Sequence, residues 1–303
     1  MNPERWTVER GGVRLDRCVA DALGCGRRAA RALLKQGRVR VNGRRAPASD
    51  RPAEGSIIEV DCPAPAMGPS SCDVAESLEL PAVVYRDDSC LVIDKPAGMH
   101  TLRGRGAVSA EEAVEQIEPG LAGVREATGD SCFVHRLDCE TSGVLVAAMN
   151  THIWSAYRAA FRAREVEKTY QALVSGVVES PFTISTPLAR RKSHVVPARR
   201  SDRPLPARTD VRPLESGPDW SLVECVMRTG VTHQIRVHLA LSGHPIFGDG
   251  KYGGWTAPQP ARDGQLLHAS RLVLAEHVDV SSELPDDFIQ VLERLREGWT
   301  GSS

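Results

Sequence analysis

The chain has 303 residues, 38 Lys and Arg against 39 Asp and Glu, and a mean hydropathy of -0.26. Such values fit a soluble globular protein of about two domains at ~150 residues each. Apolar runs such as Val144 to Met149 are far shorter than the roughly 20 residues that span a bilayer. The opening "MNPERWTVERGG" carries charges of both signs and no apolar core of a secretory signal. A cytoplasmic protein, monomeric and without a membrane segment, is expected. Eight cysteines with no C-x-x-C pair argue for reduced thiols and against a disulfide framework or a zinc site.

Near-neutral totals conceal a segregation of charge. Residues 1–60 hold 13 Lys and Arg and 7 Asp and Glu, whereas residues 61–130 hold 5 and 13. From Arg27 to Arg45 there are eight basic residues and no acid, a density suited to a phosphate backbone, although a solvated face reads the same way. Leu15, Val19, Ala22 and Leu23 recur at helical spacing, and Ala30, Leu33 and Leu34 repeat the signal ahead of Gly37, a C-terminal cap. Val39 and Val41 then alternate with Arg38 and Arg40 up to Asn42-Gly43, a pair that favours a tight hairpin turn. Ile57, Ile58 and Val60 supply a closing strand. The expectation is a small module of two helices and short strands over residues 1–61. From "RLDRCVADALG" through "GRVRVNG" to "GSIIEV" it resembles the S4 RNA-binding module, so Arg27, Arg28, Arg31, Lys35, Arg38 and Arg40 are candidate RNA contacts.

Residues 62–79, rich in Pro, Ala and Ser with no apolar period, read as a linker. A second domain is expected over residues 80–300. "AVVYRDDSCLVID" predicts strand, turn, strand, and "KPAG" a loop. Ser109 and Glu112 form a capping box for a helix bearing Ala113, Val114 and Ile117. Ile153, Tyr157, Ala160, Phe161 and Arg164 mark one face of another helix. "EVEKTYQALVSG" alternates as a strand with Lys168, Tyr170 and Ala172 on one face. Thr232 is placed to cap a helix from His233 to about Leu241, with Gly243 beyond its end. Helices and strands mix without the alternation of a doubly wound sheet, so the expected class is α+β, built on a mainly antiparallel, helix-flanked sheet.

Two segments concentrate groups able to do chemistry. "FVHRLDCETSG" sets His135, Arg136, Asp138, Glu140, Thr141 and Ser142 between apolar stretches. A structural account, with Asp138 capping amides and Thr141-Ser142-Gly143 turning the chain, stands beside a catalytic one. In "RTGVTHQIRVHLALSGHPIFGDGKYGG", His233 and Arg236 share a helix face, whereas His233 and His238 lie roughly 140° apart and cannot grip one metal. Each histidine is expected to pack or hydrogen-bond. The chain has no H-E-x-x-H, phosphate-loop or G-x-S-x-G pattern, so no metal, nucleotide cofactor or acyl-transfer chemistry is implied. The basic, proline-bearing run from Pro187 to Pro213 predicts an extended loop along RNA, with Arg190, Arg191 and Lys192 as contacts.

"HRLDCETSG" resembles the H-R-L-D-x-x-T-S-G signature of RluA-type RNA pseudouridine synthases. "VVYRDDSCLVIDKPAG", "EKTYQALVSG", "TGVTHQIRVHLALSGHPIFGDGKYGG" and "LLHASRLVL" resemble their other motifs in family order, over about residues 80–275. Several ribosomal-RNA members carry an S4 module in front. The resemblance implies that Asp138 is the catalytic aspartate, Tyr170 the active-site tyrosine and Arg236 the basic residue paired with the aspartate. Arg136 would replace a flipped-out nucleotide in the RNA helix. The residue types suit the reaction, in which the N1–C1′ bond of uridine breaks, the uracil rotates, and C5 bonds to C1′ without net oxidation or cofactor. A carboxylate attacks C1′ or takes a sugar proton, an arginine orients it through charge-assisted hydrogen bonds, and a tyrosine stacks on the base and helps remove the C5 proton. The implied partner is RNA, ribosomal ahead of transfer RNA. An alternative is a non-catalytic RNA-binding or ribosome-assembly factor that keeps the fold. A glycosidase using Asp138 and Glu140 is disfavoured because Arg136 and Arg236 suit one paired aspartate. Val231, the stretch after "KPAG" and "SDRPLPART" depart from the family pattern and bear on substrate choice.

Overall fold

The computed structural model describes residues 4–8, 12–22, 33–34, 37–47, 50–60, 80–104, 108–191, 194–254, 264–274 and 278–298. The chain divides into two compact units, Met1–Glu79 with Arg103–Val108, and Leu80–Leu102 with Ser109–Ser303. The expected linker lies outside the described residues, apart from the chain on either side of it.

In the first unit, β1 (Glu4–Thr7), α1 (Leu15–Ala22), β2 (Val39–Val41), β3 (Arg44–Arg45) and β4 (Ile57–Val60) form a helix on an antiparallel sheet of order β1-β4-β2-β3. Leu15 and Val19 of the helix pack on Val39, Ile58 and Val60. Asn42 (φ 50) and Gly43 (φ 77) are both left-handed, as the tight turn between β2 and β3 requires. Strand β1 was not expected. "ERWT" has too few apolar residues to show a period and takes its state from pairing with β4. Most of the expected second helix lies outside the described residues, although Leu33 and Leu34 are helical.

The second unit is built on a nine-stranded sheet. Its strands are β5 (Ala82–Arg86), β6 (Cys90–Lys95), β7 (Ser142–Ala148), β8 (Val166–Ser175), β9 (Phe182–Ile184), β12 (Thr209–Ser216), β13 (Trp220–Met227), β14 (Leu267–Leu274) and β15 (Val278–Ser281). A separate hairpin joins β10 (Leu188–Arg191) to β11 (His194–Pro197). The order is β5-β6-β7-β14-β8-β13-β12-β9, with β15 beside β14, and every pairing is antiparallel except β7 with β14. Mixed topology of this kind is the expected α+β class.

Strands β6 and β7 are apolar at successive positions because helices cover both faces. Leu91, Ile93, Leu145 and Ala147 pack with α2 (Ala110–Ile117), α3 (Leu121–Thr128) and α6 (Asp286–Arg296). Their neighbours Cys90, Val92, Val144, Val146 and Ala148 face α4 (Thr151–Ala163) through Tyr157. Burying each large aliphatic side chain stabilises by about 1.5–3 kcal/mol. Local signals set the helix starts. Ser109 Oγ accepts the Glu112 amide and Glu112 Oε2 the Ser109 amide, the expected capping box, and Asn150 caps α4 at Ile153. Arg164, expected on the α4 face, is the left-handed residue (φ 64) just past its end. Gly143 (φ 112) sits where β7 meets β14, and a Cβ there would collide with the backbone of Ala269. "TSG" therefore starts a strand at a close backbone approach.

Two expectations are corrected. Helix α5 (Gln234–Leu241) is not capped by Thr232: its N-cap is His233, left-handed at φ 57 and without a side-chain cap. Thr232 Oγ1 instead accepts from Arg190. Nor is the run from Pro187 to Pro213 one extended loop. It holds the β10–β11 hairpin and runs on into β12, because Leu188, Val195 and Ala207 make a small core with Val237 of α5. Pro213 is accommodated where the β12–β13 register shifts.

Candidate active site

The register Lys95↔Gly143 sets the loop after β6 beside the loop before β7. Lys95 is fully buried and its Nζ donates to the carbonyls of Pro96, Met99 and Cys139 at 2.8, 2.8 and 2.9 Å. Thr101 Oγ1 donates to Leu137 O at 2.8 Å and accepts the Leu137 amide at 3.2 Å. Asp138 is thus gripped on both sides through its backbone. Its side chain lines a cavity of about 430 Å³, a volume suited to a small-molecule-sized group. Among the described lining residues Asp138 is the only acid, against Arg136, Arg158, Arg162, Lys168, Arg190 and Arg236. Glu140 does not line the cavity, which removes the paired carboxylates of a glycosidase.

Helix α5 delivers Arg236 from the opposite wall. Its Nη1 donates to Asp138 Oδ2 at 2.9 Å, while Nε and Nη2 form a bidentate pair with Asp249 at 2.7 and 2.8 Å. Arg236 is 8% exposed and Asp249 1%. Burial opposes the guanidinium charge, but the hydrogen bonds and charges of Asp249 and Asp138 outweigh it and hold the pKa above its ordinary value. Asp249 also accepts the amides of Lys251 and Tyr252 at 3.1 and 3.2 Å, so the arginine is fixed before it reaches Asp138. On the other side of the carboxylate, His233 Nε2 lies 3.7 Å from Asp138 Oδ1.

Strand β8 supplies the third wall, with Lys168 and Tyr170 on its buried face as the alternation predicts. Burial, and then the charge of Asp138, pushes the Tyr170 phenol up, so it stays protonated. Lys168 Nζ donates to Thr229 O at 2.8 Å and sits 5.6 Å from the centre of the Phe161 ring. Burial brings its pKa down to about 8. His135 stacks on Phe161 at 5.2 Å and accepts the Val146 amide at Nε2. Burial and the charge of Lys168 push its pKa down to about 3, so the ring is neutral.

Asp138, Arg136, Tyr170 and Arg236 thus line one cavity, joined by Arg190. Arg136 is exposed. Arg191 is not on the cavity and instead forms a bidentate pair with Asp202. On the first unit, Arg38 is half-buried and Arg40 exposed. Arg27, Arg28, Arg31, Lys35 and Lys192 lie outside the described residues. Sequence reasoning missed Asp249, Tyr252 and Lys168 as site residues, together with Arg158 and Arg162 one turn apart on α4. The i, i+4 spacing of the two arginines was the available signal. Asp249 had none, because it meets Arg236 only through the turn after α5.

The RNA pseudouridylate synthase family matches residues 89–241, and the S4 domain family matches residues 13–58. An uncharacterized RNA pseudouridine synthase of Mycobacterium bovis is 35% identical, over 94% of this chain and 95% of its own. The ribosomal large subunit pseudouridine synthase D of Pseudomonas aeruginosa is 32% identical, over 95% and 94%. Among solved structures, human RNA pseudouridylate synthase domain containing 4 aligns with a TM-score of 0.56 and 27% identity, over 71% of this chain and 93% of that one. With its acidic centre, basic lining and matching motifs, the chain belongs to the RNA pseudouridine synthase family and carries an S4 domain ahead of the synthase fold.

Proposed function

We propose that the protein isomerises specific uridines in structured RNA, foremost ribosomal RNA, to pseudouridine, with Asp138 as the catalytic group. The observation that carries this reading is one carboxylate held 2.9 Å from a buried arginine in a cavity whose other charged lining residues, among those described, are cations and whose wall includes a buried tyrosine. The ribosomal target is drawn from the relative named as a large-subunit synthase. Residues 1–61 serve as the RNA-binding domain and 80–300 as the catalytic domain, joined by a linker over 62–79.

Duplex RNA stacks its bases, so uridine must be extruded at a cost of a few kcal/mol. Arg136, exposed beside Asp138, fills the gap left in the helix. Arg190 and Arg191 on the hairpin, Lys192 next to them in the sequence, and Arg27, Arg28, Arg31, Lys35, Arg38 and Arg40 on the S4 domain, hold phosphates and offset the cost. In the cavity Tyr170 presents its ring to the uracil. Its phenol stays protonated, so it acts as a surface and hydroxyl donor, not as a phenolate base. Arg236 orients Asp138 toward the sugar, where the carboxylate attacks C1′ or takes a sugar proton. The N1–C1′ bond breaks, the freed uracil turns, and C5 bonds to C1′ as the aspartate is displaced from C1′ or the sugar proton is returned; the C5 proton then leaves to solvent and N1 takes one up. Nothing is oxidised, so no cofactor takes part, and the enzyme works as a cytoplasmic monomer.

Tritium release from C5-labelled uridine in ribosomal RNA tests the reading. Wild type releases tritium, and Asp138→Asn releases none while binding RNA within roughly tenfold of wild type. Multiple turnover by Asp138→Asn overturns it.

A further inference from the structure

Arg236 occupies Oδ2 of Asp138. The groups facing Oδ1 have no part in the reaction as described above. His233 Nε2 is 3.7 Å from Oδ1, and His233 Nδ1 is 2.8 Å from Tyr252 Oη. That phenol oxygen already accepts the backbone amide of Val195, in β11, at 3.2 Å. Its own hydrogen is therefore free to be donated, and His233 Nδ1 is the acceptor within reach among the described residues. An imidazole that accepts at Nδ1 carries its proton on Nε2 when neutral. The N–H then points toward the catalytic carboxylate.

We propose that Tyr252 and His233 are positioning residues acting in series on Asp138: the phenol sets the imidazole tautomer, and the imidazole N–H restrains the carboxylate oxygen that Arg236 leaves free. The inference rests on the reading that Asp138 is catalytic. Several features hold the pair rigid. His233 is left-handed at φ 57, and its ring meets Tyr252 edge-on at 5.7 Å and 73°. Arg236 lies 5.3 Å and Lys251 5.9 Å from the centre of the Tyr252 ring. The charged groups facing His233 are Asp138 and Asp249, which favour its protonation, and Arg236 and Lys251, which oppose it. Burial is the largest influence and keeps the ring neutral.

Neutrality matters to the chemistry. A second full cation beside Arg236 would stabilise the resting carboxylate and blunt it toward C1′ or a sugar proton. A neutral N–H 3.7 Å from Oδ1 is too far for a hydrogen bond in the resting site and acts on the carboxylate as a dipole, at little electrostatic cost, closing to a hydrogen bond when the carboxylate turns toward it. The hairpin is part of the same arrangement. Val195 grips Tyr252, and Arg190 donates to Thr232, the residue before His233, at 2.8 Å. A basic strand pair proposed to meet RNA thus touches both supports of the imidazole.

The test measures tritium release in full-length enzyme with Tyr252→Phe, His233→Ala, His233→Gln and the Tyr252→Phe/His233→Gln double variant. Phenylalanine keeps the ring packing and loses only the hydroxyl. The glutamine amide nitrogen reaches the Nε2 position and needs no tautomer set for it. Tyr252→Phe and His233→Ala are expected to lower kcat about tenfold with KM within about twofold, and His233→Gln to stay within about threefold of wild type. Tyr252→Phe should add no further loss on His233→Gln. In ¹⁵N-histidine-labelled protein, His233 should be protonated on Nε2 in wild type and a mixture of tautomers in Tyr252→Phe. Wild-type kcat for Tyr252→Phe, equal losses for His233→Ala and His233→Gln, or an unchanged Tyr252→Phe penalty in the glutamine background overturns the proposal. Turnover by Asp138→Asn would instead overturn the catalytic reading beneath it, so the two failures are distinguishable.

Discussion

At the centre of the cavity, Arg236 is bonded to Asp138 and to both oxygens of a buried Asp249, whereas along its margin Arg136, Arg162 and Arg190 reach out to solvent. The side-chain type is the same and the energetics are opposite. Two carboxylates and a guanidinium taken out of water cost several kcal/mol per ion, which close hydrogen bonds only offset. Such a cluster is a poor source of stability and a good source of fixed geometry. The marginal arginines give up little solvation and contribute little to folding. Their charges add over distance and attract a polyanion.

This contrast can be broken from the centre first. Arg236→Ala should lower kcat about 10³-fold or more, and combining it with Asp138→Ala should add little, because groups acting as a unit are non-additive. The same change strands Asp249 in a buried site, so urea unfolding should show a loss of about 3–5 kcal/mol. Clean additivity in the rates would dissolve the unit.

Lys168 sharpens the contrast because it has one trait of each region, buried at 6% exposure yet with no carboxylate partner among the described residues. Its pKa falls from 10.5 in a free lysine to about 8. At pH 7 both the folded and unfolded chains carry its proton, and the folded one bears the cost of burying it. Between pH 8 and 10.5 the unfolded chain holds more protons, so stability rises with pH. Relative to Lys168→Met, wild type should gain about 3 kcal/mol across that window, read from urea midpoints at each pH. A flat difference would show that the ammonium is hydrated.

The margin should respond most weakly. Arg162→Ala with Arg190→Ala should leave the unfolding free energy within about 0.5 kcal/mol, raise KM severalfold, and lessen the dependence of log K on log[salt] by roughly 0.7–0.9 per lost phosphate contact. Deleting residues 1–60 should flatten that dependence by several units and leave kcat on a short saturating stem-loop close to that of the full chain. An unchanged slope in either variant would mark those cations as solvated surface.

Local chemistry told most where it acts within a few residues. The Ser109–Glu112 box, the Asn42-Gly43 turn and the period-two pattern of residues 166–172 are decided by neighbours along the chain, and each is as the sequence implies. The resemblance at "HRLD" pointed to Asp138, and Arg236 meets it from 98 residues away. What stayed hidden depends on closure of the whole unit. Asp249 follows a turn with no periodic signal, and the role of Tyr252 requires the Val195 amide to arrive from a hairpin. Prolines suggested an extended loop where a hairpin forms, since Leu188 and Val195 gain more from packing on Val237 than from solvent. His233 takes the N-cap place that Thr232 was expected to hold, because Thr232 is engaged by Arg190.

The pairing of β14 between β7 and β8 has a consequence for how the protein is made. Strand β14 comes near the end of the chain yet fills the middle of the sheet, with Ala269 against Gly143 on one side and Leu267 against Ala172 on the other. Until it emerges from the ribosome, β7 and β8 each present an open hydrogen-bonding edge. At about 5–20 residues per second that interval lasts on the order of ten seconds. The loop bearing Asp138 leads directly into one of those edges. A nascent chain stopped before Leu267 therefore holds every residue proposed for the chemistry and lacks the strand that joins its two halves. Exposed to other chains in that state, it is a substrate for chaperones or for aggregation well before it can act on RNA.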